Sequence, residues 1–268
     1  MTVDHDRSVK ARVQEQFGKH ADKYVASEGH AQGDDLEVLL QWLDPRPEWQ
    51  VLDIATGGGH AAGKLSAHVR HIVATDLTRP MLAAAAAHLA GRGCGNILYT
   101  VADAEQLPFL DAAFDAVTCR IAAHHFPNPA LFMQEAARVL KPGGRFVFID
   151  NVAPDDDDLA AFMNRFEGMR DPSHVRCLPV REWKALAEAA GLRVVRAQMS
   201  RKRHAFPSWV RRTAETEEQV RQVEQFILGG SASCREYFAV QTGEGTGGTL
   251  QSLQIDDWRV LLEKPAQP

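Results

Sequence analysis

Paired cysteines and long apolar runs are both missing from this sequence. Its 268 residues include four cysteines, and no two of these form a CxxC pair. A disulfide framework and a zinc knuckle are therefore not indicated, and a reducing compartment fits. No stretch approaches the roughly 20 apolar residues that cross a bilayer, and residues 1–10 lack an apolar signal core. We therefore expect a cytoplasmic protein without a membrane span.

An excess of positive charge is also missing. The formal net charge is -5, which gives no general attraction to nucleic acid or to anionic lipid. The one basic cluster (Arg201, Lys202, Arg203, Arg211 and Arg212) has no regularly interleaved aromatic residues, so we interpret it as a solvated surface. We therefore expect a small-molecule substrate and no nucleic-acid or membrane partner.

A run of four aspartates at residues 155–158 is the only concentrated acidic segment that invites a metal hypothesis. It opens a predicted helix, where carboxylates favour the positive end of the helix dipole. We interpret the run as a helix start, and no metal site is predicted.

What the sequence does contain is an alternation of short apolar runs with helical stretches from Gln50 onward. Alternation of this kind is typical of parallel βαβ units and predicts an α/β fold with a doubly wound sheet. The predicted strands lie at 50–55, 71–76, 97–101, 115–119, 145–151, 192–200 and 257–263. The predicted helices lie at 59–68, 80–91, 129–140, 156–169, 181–190 and 207–228.

Three further segments complete the predicted organisation. Residues 5–43 have helical spacing, so residues 1–44 are predicted to form a helical cap on a domain that spans 45–268. A helical region around 205–235 is predicted to be inserted in, or appended to, that domain. The glycine-rich stretch 244–248 is predicted to be a flexible turn.

A cluster of glycines follows the first predicted strand, in the run Val51-Leu-Asp-Ile-Ala-Thr-Gly-Gly-Gly-His60. Glycines at such a turn let backbone N–H groups approach a ligand directly. The loop alone also satisfies the dinucleotide fingerprint. Asp53 separates the two interpretations, because a carboxylate there opposes a pyrophosphate but suits the sulfonium and ammonium groups of S-adenosylmethionine. Alternatively, Asp53 only anchors the loop by accepting backbone N–H bonds.

Two more acids follow the next two predicted strands. Asp76 ends the second strand, where a carboxylate can accept both ribose hydroxyls, a role that NAD sites share; capping of the next helix is the alternative. Asp103 follows the third strand and can accept the adenine amine while Ala104 donates from its backbone; a turn is the alternative. Three acids at the ends of successive strands favour a nucleoside site.

Five blocks of sequence together resemble the class I S-adenosylmethionine-dependent methyltransferases, most closely the bacterial branch related to the ubiquinone and menaquinone C-methyltransferases. These blocks are Val51–Gly59, Asp76–Met81, Asp103–Phe109, Phe114–Asp115 and Arg138–Gly144. The resemblance implies a Rossmann-like, mostly parallel sheet of seven strands whose last strand is antiparallel. It also implies S-adenosylmethionine as cofactor and methyl transfer by direct displacement.

The same resemblance implies roles for individual residues around the cofactor. It places Asp53, Thr56, Gly57 and Gly59 around the methionine moiety, Asp76 on the ribose, Leu77 and Met81 against adenine, Asp103 and Ala104 on the adenine edge, Arg120 in the pocket wall, and the aromatic residues Phe17 and Tyr24 in a cap over the cofactor.

The catalytic candidates follow the fourth and fifth predicted strands. His124 and His125 suit a general base or a substrate contact near neutral pH, and local packing is the alternative. Asp150 is the next polar candidate at this edge of the sheet, with helix capping as its alternative. The acceptor, its reacting atom (C, O or N) and a homodimer stay open. An NAD-dependent oxidoreductase and a non-catalytic S-adenosylmethionine-binding protein are the competing hypotheses.

Overall fold

The computed structural model describes residues 2–25, 33–243 and 248–266, with side chains from residue 6 to residue 19 in the first of these ranges. The helices are α1 (Thr2–Val25), α2 (Asp34–Leu43), α3 (His60–Leu65), α4 (Arg79–Ala90), α5 (Pro129–Val139), α6 (Asp157–Arg170), α7 (Val180–Ala189), α8 (Phe206–Val210), α9 (Glu217–Leu228) and α10 (Ala232–Tyr237). The strands are β1 (Gln50–Ile54), β2 (His71–Asp76), β3 (Ile97–Val101), β4 (Phe114–Arg120), β5 (Leu140–Asn151), β6 (Arg193–Ala205), β7 (Gln241–Thr242) and β8 (Leu250–Glu263). Short 3-10 helices occupy Ser66–His68 and Ala123–His125.

The strands form one mostly parallel sheet in the order β3-β2-β1-β4-β5-β8-β6. Strands β1 to β5 pair in parallel, and β8 runs antiparallel between β5 and β6. The chain order reverses between β1 and β4, and in open α/β sheets ligands bind beyond the carboxyl ends of strands at such a switch point. The predicted Rossmann-like fold of seven strands is confirmed, and the two-residue β7 adds a short pair on β8.

The last part of the chain departs most from the predicted elements. Strand β8 begins at Leu250 rather than at residue 257, because β6 continues to Ala205 and pairs with β8 as far as Ser252. The helices predicted within 207–228 are α8 and α9, and α9 starts where Thr216 accepts the N–H of Gln219. Helix α10 was not predicted. The turn predicted at 244–248 lies almost wholly outside the described residues.

Buried apolar residues lie on both faces of the sheet and in a third cluster beside it. Leu52, Val117 and Phe148 represent one face, and Val51, Ala116 and Val147 the other, as the period of two in a strand requires. The third cluster joins α6, α8 and α9 to the first half of β8 and forms a lobe beyond the carboxyl edge of the sheet. The division into a cap and a domain stays a prediction.

Helix α1 lies between the sheet domain and this lobe. It packs against α4, Gln14 Nε2 donates to the Leu77 carbonyl at 3.0 Å, and the buried Gln16 Nε2 donates to the Thr213 carbonyl at 3.0 Å. The aspartates at 155–158 behave as predicted, because Asp156 accepts the N–H of Leu159 and caps α6. No helix in the described part of the chain is long and apolar enough to span a membrane.

Candidate active site

A cavity of about 1030 Å³, counted with the space at its mouth, lies beyond the carboxyl ends of β1 to β4. The loops after these strands and helix α1 form its wall. Ten of the twelve predicted cofactor residues line it: Phe17, Asp53, Thr56, Gly57, Asp76, Leu77, Met81, Asp103, Ala104 and Arg120. Its size suits a nucleoside cofactor.

The glycines of the loop after β1 have different neighbours. Gly57 has φ +54°, and a Cβ built there would have no atom within 4 Å, so its Cα faces open space in the cavity. Gly59 has φ +79°, and its Cβ would lie 2.7 Å from Leu89 Cδ1. Gly59 is not among the residues that line the cavity, and the absence of a side chain there lets the loop pack against α4. Its place beside the methionine moiety stays a prediction.

Asp53 forms the buried floor of the cavity. Its two carboxylate oxygens each accept a hydroxyl at 2.6 Å, one from Thr56 and one from Thr118. Burial raises the pKa of Asp53, and the two hydroxyl hydrogen bonds act in the opposite direction. Asp53 thus anchors the glycine loop through Thr56 and also places a carboxyl group beneath the cavity.

Asp76 lies at the end of β2, where its two oxygens organise two backbone turns. One oxygen accepts the N–H of Gly57 at 3.1 Å and the other accepts the N–H of Thr78 at 2.8 Å. Burial raises the pKa of Asp76 to about 6, although both hydrogen bonds favour the carboxylate. Asp76 also lines the cavity, and its contact with ribose stays a prediction.

Asp103 is linked to helix α1 at the other end of the cavity. Lys10 Nζ lies 2.6 Å from Asp103 Oδ2 and 2.6 Å from Glu105 Oε2. The second oxygen of Asp103 accepts the N–H of Glu105 at 3.0 Å, which closes a turn. Asp103 therefore forms the turn of the alternative interpretation and also lines the cavity beside Ala104. Its contact with the adenine amine stays a prediction.

Arg120 ends β4 and reaches from the cavity wall to α2. Its Nε donates to the fully buried Asp35, which lowers the pKa of that carboxyl group to about 2 despite its burial. Arg120 Nη2 is buried and has no hydrogen-bond acceptor among the described residues. Arg120 is also one of the residues that line the cavity, and its ion pair with Asp35 fixes the position of its side chain.

The apolar side of the cavity is formed by the predicted residues Leu77, Met81 and Phe17. Met81 is buried at the start of α4, and Phe17 places its ring edge-on to His125, with the centroids 4.9 Å apart. The side chain of Tyr24 lies outside the described residues.

A second cavity, of about 670 Å³, adjoins the first. Phe17, Ile121 and His125 line both cavities. The second cavity extends from this shared wall towards the lobe, where His204 and Trp209 belong to its lining. Two ligands, one in each cavity, would therefore come close to each other at His125.

His125 is held in one tautomer. Its Nδ1 lies 3.0 Å from the Ser173 carbonyl oxygen, which can only accept, so Nδ1 carries the hydrogen and Nε2 keeps a lone pair. Burial, together with the neighbouring His124, lowers the pKa of His125 to about 4. His125 is therefore a neutral hydrogen-bond acceptor at neutral pH.

His124 has the opposite environment. Its Nδ1 lies 2.7 Å from Asp150 Oδ1, and its backbone N–H donates to Asp150 Oδ2 at 3.0 Å. The charge of Asp150 raises the pKa of His124 even though burial opposes the shift. Asp150 therefore orients a histidine, and does not cap a helix. The two adjacent rings, with centroids 4.2 Å apart, are shifted towards different protonation states.

Several residues of the two cavities were missed or misinterpreted from the sequence. Nothing in the sequence signals that Lys10 contacts Asp103 and lines the first cavity. Ile121, with φ +54°, and Ala55, with φ +51°, follow β4 and β1 in the left-handed region that non-glycine residues rarely adopt. Neither has a sequence signal.

The basic cluster is only partly the solvated surface that was predicted. Arg201, Arg203 and Arg211 are exposed, whereas Lys202 and Arg212 are half-buried and line the second cavity. Alternation along β6 separates Lys202 from its two neighbours. The predicted strand ends at residue 200, whereas β6 continues to Ala205. A longer predicted strand would have placed Lys202 on the opposite face from Arg201 and Arg203.

Comparison with known proteins agrees with this geometry. A methyltransferase domain matches residues 52–148. The uncharacterized methyltransferase YcgJ of Bacillus subtilis is 34% identical over 242 residues, which are 89% of this chain and 96% of that protein. The ubiquinone/menaquinone biosynthesis C-methyltransferase of Brucella anthropi is 36% identical over 120 residues, which are 42% of this chain and 46% of that enzyme.

Solved structures extend the agreement to almost the whole chain. A proposed methyltransferase of Bacillus halodurans C-125 has a TM-score of 0.83 at 38% identity, and the match covers 87% of this chain and 100% of that one. The YcgJ structure has a TM-score of 0.82 at 31% identity and covers 87% and 99%. The chain belongs to the methyltransferase family. The enzyme class and the resemblance drawn from the five sequence blocks are confirmed, and the family implies S-adenosylmethionine as cofactor.

Proposed function

We propose that this protein transfers the methyl group of S-adenosylmethionine to a small molecule held in the second cavity. The observation that carries the proposal is the shared wall of Phe17, Ile121 and His125, since it brings the two cavities into contact at one histidine. The cofactor, when bound, supplies an electrophilic methyl group on a sulfonium. The protein has to align an acceptor with that group and exclude water, and positioning alone supplies much of such an acceleration.

The residues of the first cavity fit this cofactor. The open space over Gly57 leaves room for a ligand against backbone N–H groups. The buried Arg120 Nη2 lacks a hydrogen-bond acceptor among the described residues, and the carboxylate of a methionine moiety would supply one. Asp76 would hold the ribose hydroxyls, Asp103 the adenine amine, and Leu77 and Met81 the adenine faces.

His125 would hold the acceptor. Its Nε2 lone pair can accept the hydrogen of an O–H or N–H group and so direct the lone pair of that acceptor atom towards the first cavity. An acceptor with such a hydrogen becomes much more acidic as its new bond to carbon forms. For an O–H acceptor, the oxonium that methylation forms is a far stronger acid than the conjugate acid of His125, whose pKa is about 4, so His125 can take that proton. For an N–H acceptor, His125 would orient the nitrogen, and the ammonium product would lose its proton to solvent. For a carbon acceptor, His125 would only position the substrate.

His124 and Asp150 would keep His125 neutral and in place. The Asp150 carboxylate stabilises the imidazolium form of His124, and that positive charge lowers the pKa of His125. His124 also fixes the loop that carries Ser173, because its carbonyl oxygen accepts the N–H groups of Val175 and Arg176 at 2.9 Å and 3.1 Å. We assign both residues to positioning.

Titration calorimetry with S-adenosylmethionine, S-adenosylhomocysteine and NADH tests the cofactor part of the proposal. Both adenosyl ligands should bind, and Asp76→Asn should weaken them at least about tenfold because a ribose would lose a charged acceptor. Asp111→Asn, a 78% exposed carboxylate that pairs with Arg138, is the matched control and should leave the affinity unchanged. Tight NADH binding without binding of either adenosyl ligand would refute the proposal.

Turnover distinguishes an enzyme from a protein that only binds the cofactor. Release of S-adenosylhomocysteine is measured over a panel of phenols, amines and acidic carbon compounds. A phenol that stimulates the release should do so at least about a hundredfold less with His125→Leu, a loss in the range of general-base removal. An amine or carbon acceptor should lose less, because His125 would only position it. Cofactor binding with no stimulated release over the panel would favour the non-catalytic alternative.

A further inference from the structure

The wall of the second cavity is rich in cationic side chains. Arg170, Lys202 and Arg212 line it, and Asp171 is the one carboxylate of its lining among the described residues. Two aromatic rings, Phe17 at the shared wall and Trp209 at the lobe, belong to the same lining. Arg170 lies over the face of Trp209, 4.4 Å from the ring centroid.

The carboxylates that balance these cations lie behind the wall. Glu167 pairs with Arg170 at 2.7 Å, and Asp35 and Asp257 lie near Lys202. All three carboxylates are buried, at 2%, 0% and 0% exposure, and none of them lines the cavity. The wall therefore presents N–H donors to a ligand while most of the matching acceptors are covered.

Lys202 has donor capacity left for a ligand. Its Nζ lies 3.5 Å from Asp35 Oδ1 and 3.9 Å from Asp257 Oδ2, and it makes no hydrogen bond to any residue that the structure describes. Each of these carboxylates already serves an arginine, Asp35 through Arg120 and Asp257 through Arg259. An ammonium group has three N–H donors. An oxygen acceptor in the cavity would satisfy them.

A second polar group near the lobe adds to this arrangement. His204 Nε2 is buried and has no hydrogen-bond partner among the described residues. Burial and the charge of Arg212 lower the pKa of His204 to about 4, so the ring is neutral and can place an N–H on Nε2. His204 and Arg212 line the second cavity and not the first, so this donor group belongs to the acceptor side alone.

We infer that the second cavity selects an acceptor with an anionic oxygen group, a carboxylate or a phosphate, on a body that is flat enough to lie between Phe17 and Trp209. Lys202, His204 and Arg212 bind the anionic group, and the reacting atom lies at the other end, beside His125. The inference rests on the proposed function, because the second cavity holds the acceptor only if the first cavity holds the cofactor. Charge-assisted hydrogen bonds of this kind are about twice as strong as neutral ones.

A cationic amine attracted by Asp171 is the rival ligand. Asp171 Oδ1 already accepts the N–H and the hydroxyl of Ser173, at 2.9 Å and 2.5 Å, and the side chain is buried. Its acceptor capacity is therefore directed largely at its own loop, which favours the anion.

The test uses four probes of one shape on the protein saturated with S-adenosylhomocysteine. Benzoate, phenyl phosphate, the neutral benzamide and the cationic benzylamine are titrated at low ionic strength by ligand-observed NMR. At least one anion should bind about tenfold or more tightly than benzamide. The two anions separate a carboxylate acceptor from a phosphate acceptor.

Substitutions of two cavity residues, compared with substitutions of their exposed sequence neighbours, show whether the anion binds in the second cavity. Lys202→Met and Arg212→Met should each reduce the preference for the anion over benzamide about tenfold and leave benzamide unchanged. The controls are Arg203→Met and Arg211→Met, whose exposed side chains bind Ser252 and Glu217 outside the cavity and should have no effect. Thermal unfolding and S-adenosylhomocysteine affinity confirm that every variant is folded.

Three results would overturn the inference while S-adenosylhomocysteine still binds: no anion preference, tighter binding of benzylamine, or equal losses in the variants and their controls. Failure to bind S-adenosylhomocysteine would instead refute the proposed function. The cofactor titration therefore distinguishes the two failures.

Discussion

The Asp150 carboxylate holds His124 by two contacts, one oxygen 2.7 Å from the ring nitrogen Nδ1 and the other 3.0 Å from the backbone nitrogen. Both residues are buried, at 0% exposure for Asp150 and 8% for His124. A buried carboxylate that binds the ring and the backbone of one residue fixes both its orientation and its tautomer. The arrangement makes the stability of this part of the protein depend on pH.

Asp150→Asn should destabilise the protein more in acid than in base. The pKa of His124 is raised in the folded state, so its stabilising contribution is fully present below the unfolded value of 6.5 and is lost as the pH rises through the folded value. We expect a loss of about 3 kcal/mol at pH 5.5, where an imidazolium is left buried, and about 1 kcal/mol at pH 9. Urea unfolding at both pH values measures the difference. Asp155→Asn, at an exposed carboxylate paired with Arg181, should leave the free energy of unfolding unchanged at both pH values. Equal losses at the two pH values would contradict the assignment.

Asp76→Asn should stabilise the cofactor-free protein at neutral pH. A carboxyl group whose folded pKa is raised contributes stability that is present below its unfolded pKa of 3.8 and lost as the pH rises through about 6. That change corresponds to about 3 kcal/mol, and the amide loses one accepted backbone hydrogen bond, which costs about 1 kcal/mol. We expect a net gain of about 1 to 2 kcal/mol at pH 7.5 and a smaller gain at pH 5, measured by thermal unfolding without cofactor.

The same titration should appear in cofactor binding by the unaltered protein. A ribose needs the ionised carboxylate of Asp76, so S-adenosylhomocysteine affinity should fall about tenfold per pH unit once the pH is well below 6. Calorimetry between pH 5 and pH 8 follows this loss. A flat profile would show that Asp76 does not accept the cofactor in its ionised form.

Sequence alone predicted most of the polar residues of the first cavity because these residues follow local rules. Asp53, Asp76 and Asp103 each come directly after a strand, and the carboxyl ends of parallel strands meet at one edge, so their proximity follows from chain order. Lys10 and Lys202 required the tertiary fold, since they come from a helix in the cap and from a strand that outlasts its predicted end. His125 is a candidate from the sequence, but its tautomer and its position between two cavities follow only from the fold. The cytoplasmic location and the homodimer stay predictions.

Lys10→Met should loosen the helix that covers the cofactor cavity. Lys10 Nζ bridges Asp103 and Glu105 at 2.6 Å each and is 23% exposed, and without it two carboxylates face each other. We expect faster hydrogen exchange in residues 6–19 and about fivefold faster dissociation of S-adenosylhomocysteine, since the two partly exposed ion pairs together are worth about 1 kcal/mol. Stopped-flow displacement measures the rate. Lys19 is 51% exposed and pairs with Glu15 on the same helix and, at 3.7 Å, with Glu215; Lys19→Met removes these solvent-screened pairs and should leave the rate unchanged.

Alanine substitutions at the two left-handed glycines of the loop should separate binding from stability. Gly57→Ala adds a methyl group into the open space of the first cavity, so S-adenosylhomocysteine affinity should fall at least about tenfold while the left-handed backbone costs about 1 kcal/mol of stability.

Gly59→Ala should have the opposite effect. Its methyl group would lie 2.7 Å from Leu89 Cδ1 and 3.3 Å from Ala85 Cβ, so we expect a loss of about 2 to 4 kcal/mol from the clash together with the left-handed backbone. The folded fraction should bind the cofactor product almost normally, because Gly59 does not line the cavity. Leu89→Ala removes the clashing carbon and should make Gly59→Ala less costly in the double variant than in the unaltered background. If the stability losses of Gly59→Ala and Leu89→Ala simply add in the double variant, the clash with Leu89 is not the cause of the loss in Gly59→Ala.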